Sequence, residues 1–197
     1  MRVASIFLIA GCGFQAHAPL DEAAAPVPDA GFDAARCPAS YDVRFPAPSS
    51  SRYRLITAGH AAWTQSDACA ADLSGATHLV VLDSQSEFDR VVALVAAATT
   101  QVNSIWVGAV QQPTATQPLA GWLWFDGSPV TGGWSGVEPN DRDGRESQEE
   151  QFARIEKTKL YLQDSGGMTS SGALCECDGT PIATTAAAAI TAYRPPS

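Results

Sequence analysis

A chain of 197 residues with an apolar share of 45% can bury one sizeable core but not two of ordinary size, so one folded domain with extensions is expected. Its formal net charge of −9 argues against a nucleic-acid partner, whose binding face should be basic, and is compatible with a cation site. No apolar run reaches the ~18 residues that a transmembrane helix needs.

The first residues carry a targeting signal. Met1-Arg2 is a minimal charged start, residues 3–10 are apolar, and Ile9-Ala10-Gly11-Cys12 resembles a bacterial lipobox. Residues 1–11 are therefore expected as a lipoprotein signal peptide, with Cys12 lipidated as the mature N-terminus; the alternative is an ordinary secretory signal with an incidental cysteine. The resemblance implies an exported protein, lipid-anchored to the bacterial cell envelope. Gly13, in place of the aspartate that retains such proteins at the inner membrane, points to the outer membrane. Residues 12–36 are Ala-, Pro- and Asp-rich without apolar periodicity, which reads as a flexible tether.

Export implies an oxidising setting in which cysteines pair. Setting Cys12 aside leaves Cys37, Cys69, Cys175 and Cys177, whose three possible connectivities the residues alone do not separate. Residues 37–178 are expected to be the folded domain. Tyr53 to Ile56 alternates as a strand, and Trp63 to Leu73 reads as a helix with Thr64 as its N-cap. His78 to Leu82 is a β-branched strand; neither His60 nor His78 has a partner at zinc-ligand spacing. Ser84-Gln85-Ser86-Glu87 has capping-box form, and Phe88, Val91, Val92 and Val95 recur at helical spacing as far as about Ala97.

Beyond Asn103 the texture changes to short strands and long loops. Strands are expected at 105–108, 122–125, 150–156, 159–163 and 174–177, and residues 179–197 are expected as a peripheral C-terminal tail. The loop from Ser128 to Ser147 holds Glu138-Pro139-Asn140. A proline between two oxygen-bearing side chains presents both to one side of a kink, the arrangement a hard cation such as Ca²⁺ requires, and a cis bond before Pro139 would aim them. Two neighbouring hydroxyls of a sugar could complete the coordination shell.

That loop stands among Trp106-Val107-Gly108, Trp124-Phe125-Asp126-Gly127-Ser128-Pro129, Trp134, Asp164 and Ala173-Leu174-Cys175-Glu176, with Trp63 and Cys69 upstream. In this order the motifs resemble the C-type lectin-like domain, whose Glu-Pro-Asn variety binds mannose-class sugars. The resemblance implies an α+β fold, two helices packed on short antiparallel sheets with a long calcium and ligand loop region. It implies one Ca²⁺ held by Glu138, Asn140, Glu150, Gln163 and Asp164, with Glu149 in place of Glu150 if the register slips. Carbohydrate would be held by Glu138, Asn140, Glu150 and Asp164. It further implies disulfides Cys69–Cys175, tying the first helix to the last strand, and Cys37–Cys177, joining the chain ends. Two departures stand out: Gln163 replaces an asparagine, and Phe152 replaces the first cysteine of an inner bridge for which residues 164–168 offer no second. The implied function is calcium-dependent binding of mannose-class glycans. The alternative is a calcium-independent protein-binding or adhesion module whose partner is a surface protein. No nucleophile with its base, phosphate loop or metal-binding histidine pair is visible, so no enzyme is expected.

Overall fold

The computed structural model describes residues 36–45, 51–98, 103–140 and 150–196. The expected signal peptide, Cys12 with the tether up to residue 35, and Glu149 lie outside these residues. In chain order the elements are β1 (Val43–Arg44), β2 (Arg52–His60), α1 (Ala62–Ala70), β3 (Thr77–Leu79), α2 (Gln85–Ala97), β4 (Ser104–Gln111), β5 (Trp122–Trp124), β6 (Phe152–Glu156), β7 (Leu162–Ser165), β8 (Ser171–Cys177) and α3 (Thr184–Tyr193).

The final strand is the axis of the sheet. All seven residues of β8 are buried, which suits a strand flanked on both edges. One edge takes β2, antiparallel, with Arg54 opposite Cys175; the other takes β3 antiparallel and β4 parallel, with Trp106 opposite Ala173. Antiparallel β5 and β6 then pair with β4, and β7 pairs with β6. The sheet is thus mixed, where short antiparallel sheets were expected. Strand β6 runs against β4 and β7 against β6, which returns the chain to the direction of β4, and β8 follows parallel to it. β4 also passes so close to the preceding segment that a Cβ on Gly108 would lie 2.3 Å from the Leu79 carbonyl oxygen, and Gly108 N–H donates to Val80 O at 2.7 Å.

The helices show where local signals held and where tertiary contacts replaced them. Helix α2 starts as its capping box predicts, with Ser84 Oγ accepting from Glu87 N–H at 3.2 Å. The reciprocal half is diverted: Glu87 accepts from Asp83 N–H and from the Tyr53 hydroxyl. Helix α1 is not capped by Thr64. It begins at Ala62, whose N–H donates to Gly167 O at 2.8 Å, so a carbonyl from a distant loop satisfies one of the N-terminal donors that a cap would otherwise serve. Residues 179–197, expected as a peripheral tail, contribute a third helix. Its alanines favour helix, Ala186, Ala189 and Ile190 are buried, and Arg194 pairs with Asp67 of α1 at 2.7 Å. Disulfides Cys37–Cys177 and Cys69–Cys175 close the domain as the resemblance implied.

Candidate functional site

The loop after β5 is fastened to β7 before it reaches the proposed ligands. Leu162 N–H donates to Gly133 O at 2.8 Å, Trp134 bridges to Leu162, and the Trp134 ring lies 4.8 Å from that of Trp122. Gly133 is at φ +88°, and a Cβ there would lie 2.9 Å from Leu162 Cδ1, so a side chain would strain the backbone and displace Leu162. With one end held, residues 135–138 turn back on themselves through Glu138 N–H to Ser135 O at 3.2 Å. The Glu138–Pro139 bond is cis, as expected.

Four of the named residues meet here. Asn140 N–H donates to Asp164 Oδ2 at 3.0 Å, and the Asn140 amide donates to Glu138 Oε2 at 2.5 Å. Asp164 and Gln163 arrive side by side on β7, both nearly fully buried. The Gln163 amide is satisfied at both ends when its nitrogen donates to Glu156 Oε2 at 2.7 Å and its oxygen accepts from Lys159 Nζ at 2.7 Å. The reverse orientation offers only a 3.4 Å contact to Glu138 Oε1. The extra methylene of glutamine is thus accommodated by turning the amide toward the β6–β7 hairpin. The Glu138 carboxyl is pushed up to about 7, first by burial and then by the hydrogen bond and charge of Asp164, against the opposing charge of Lys159. Two adjoining carboxyls with two amides beside them form a hard-oxygen cluster short of positive charge, able to share a proton or to take a cation.

Glu150 is placed differently. It is half-buried just before β6, and Glu138, Glu150 and Asp164 do not close to the mutual spacing of 4.8 Å. Among the described residues the one His/Cys/Asp/Glu trio that does so is His78, Glu176 and Asp178. The residues that sequence reasoning missed at the loop site are Glu156 and Lys159. Lys159 was expected inside a strand but lies in the β6–β7 turn, where Leu160 takes φ +59°.

The His78 trio belongs to a buried polar seam. His78 Nδ1 meets Leu79 O at 2.8 Å and its Nε2 meets Asp178 Oδ1 at 3.1 Å; Glu176 accepts from Val81 N–H at 3.0 Å. Burial opposes a charge on His78, but the hydrogen bond to Asp178 and the charges of Glu176 and Asp178 outweigh it and raise the imidazole to about 9. Burial, and then the charge of Glu176, raises Glu87 to about 8, while burial raises Glu176 to about 7. All three hold protons more tightly folded than unfolded, so folding takes up protons. Their stabilisation is complete below the unfolded values near 4.5 for the carboxyls and 6.5 for the imidazole, and is lost as pH rises through about 7 to 9. The thermal midpoint is therefore expected to fall by about 5 °C or more between pH 6 and pH 9, and the slope to flatten in Glu87→Gln. A pH-independent midpoint in that range would contradict this account of the seam.

No protein-family model matches the chain, and no curated protein matches it in sequence. Solved structures do. The C-type lectin CEL-I from Cucumaria echinata superposes with a TM-score of 0.58 at 18% identity, over 72% of this chain and 96% of that one. The mouse scavenger receptor C-type lectin carbohydrate-recognition domain gives 0.57 at 20%, over 72% and 96%. A complex of SPL-1 with GlcNAc gives 0.57 at 18%, over 73% and 96%. With an eight-stranded mixed sheet and two disulfides among the described residues, and with these neighbours, the chain has the C-type lectin fold.

Proposed function

We propose that this domain binds carbohydrate through a hard divalent cation, Ca²⁺, at the Glu138–Asp164 cluster, and that it is exported and held at the bacterial envelope by a lipid on Cys12. The observation that carries the reading is the convergence of Glu138, Asn140 and Asp164 on the cis-proline loop, through contacts of 2.5 Å and 3.0 Å. Carboxylate and amide oxygens are the donors Ca²⁺ takes, usually six to eight of them, and carboxylate count tunes its affinity. Glu138 and Asp164 would supply the charge, and Asn140 and Gln163 the neutral oxygens. When bound, the ion supplies open coordination positions for two neighbouring sugar hydroxyls, of the mannose class if the Glu-Pro-Asn resemblance holds. Glu138 and Asn140 would hydrogen-bond those hydroxyls while Pro139, itself buried, keeps the two side chains in one orientation. Glycan binding among the structural neighbours, including a complex with GlcNAc, supports the ligand class.

A calcium-independent protein-binding reading draws on a different observation. Val137, next to the loop site, is 70% exposed and would offer an apolar side chain to a partner surface. One experiment separates the two. Calorimetric titration of Ca²⁺ into the metal-free chain is expected to show binding, with retention on mannose-agarose that EDTA abolishes. No heat at millimolar calcium, or retention that survives EDTA, would favour the protein-binding reading instead.

A further inference from the structure

We propose that Lys159 is a built-in counter-cation of the loop site, so that a divalent ion gains the site by releasing this ammonium from Gln163; the inference rests on the calcium reading above. The β6–β7 turn supplies the geometry. Lys159 and Leu160 N–H groups both donate to Glu156 O, at 3.1 and 2.9 Å, and the left-handed Leu160 tightens the chain so that Lys159 folds back over the hairpin. The Lys159 Nζ then sits 3.6 Å from Glu156 Oε2 and 2.7 Å from the Gln163 amide oxygen. That oxygen is the neutral donor Gln163 would give to a cation, and Gln163 is adjacent in sequence to Asp164. The charge of Lys159 already bears on the cluster, opposing the burial and the Asp164 charge that disfavour an ionised Glu138.

The competition follows from valence and from the single oxygen at stake. One ammonium offsets part of the charge on Glu138 and Asp164, and a divalent ion offsets all of it, but the Gln163 oxygen that would serve the ion already holds the ammonium at 2.7 Å. An ion taken up on that oxygen would stand beside a positive group, so the ammonium must leave as the dication arrives. The Lys159 side chain is 45% exposed, so it can move into water without unfolding anything. Glutamine at this position, with its longer reach toward the hairpin, is what lets the lysine take part.

The test is calcium titration of three otherwise identical chains in the metal-free state. Lys159→Met should bind Ca²⁺ about three- to fivefold more tightly than wild type, the upper part of the range expected when one partly exposed ion pair ceases to compete. Lys159→Arg, which keeps the charge, should stay within about twofold of wild type by the same reasoning. Binding by Lys159→Met where wild type binds none also supports the inference. A Lys159→Met affinity equal to or weaker than wild type overturns it and leaves the calcium reading standing, since a merely structural lysine could not make its loss a gain. An absence of binding in all three chains overturns the calcium reading, and this inference with it.

Discussion

Phe152→Ala is expected to destabilise the domain by about 3–5 kcal/mol, measured by urea denaturation with both disulfides intact. Phe152 is 1% exposed at the start of β6, and its ring meets three others edge-on: Trp63 from α1 at 6.2 Å, Trp106 from β4 at 6.3 Å and Tyr193 from α3 at 6.1 Å. Removing it withdraws apolar area and three aromatic contacts at the point where two helices meet the sheet. The neighbourhood cannot close over the gap. Gly167 already approaches so tightly that a Cβ there would lie 2.5 Å from Trp63 and 2.8 Å from Phe152, and a cavity of about 290 Å³ lined by Trp63, Phe152, Gly167, Met168 and Tyr193 opens beside it. Phe152 stands where the C-type lectin-like resemblance would place a bridge cysteine, and here aromatic packing joins β6 to α1 and α3 at that position. A loss below about 1 kcal/mol, the cost of an ordinary surface change or less, would show that α1 and α3 do not depend on this ring.

What could be read from the residues alone was whatever local chemistry decides. Ser84 was legible as a cap because its hydroxyl needs only a donor three residues on, and the bend at Glu138-Pro139-Asn140 because proline restricts its neighbours. The start of α1 was not, since its first N–H is satisfied by Gly167 from over one hundred positions away. Helix α3 was missed for a different reason: Thr184–Tyr193 is so rich in alanine that one face hardly differs from another, and nothing in the pattern says which side will be buried. The parallel contact of β4 with β8 depends on two reversals between them, which no local window contains. At the site, the register that puts Gln163 across from Arg154 and ends β6 at Glu156 decides that Lys159 falls in the turn. A one-residue difference in that hairpin would send the lysine elsewhere, so its partnership with Gln163 is a property of the pairing and not of the motif.

Asp164→Asn is expected to weaken calcium binding by about 100-fold, near 3 kcal/mol, while leaving the metal-free domain as stable as wild type or more so. The two effects separate because Asp164 does two jobs. Its Oδ2 accepts the Asn140 N–H at 3.0 Å and so fastens the loop, and its charge and hydrogen bond are what help push Glu138 up to about 7. Asparagine keeps an acceptor for the loop and adds a donor that suits an ionised Glu138, so the metal-free cluster is relieved of like charge. A dication loses one of its two anionic ligands from that cluster, and carboxylate count governs affinity at such sites. Asp164→Ala should lose the ion and the loop fastening together, giving a lower thermal midpoint even in EDTA. If Asp164→Asn binds calcium as wild type does, the ion is not held by the Glu138–Asp164 pair, and the loop is then fastened for some purpose other than coordination.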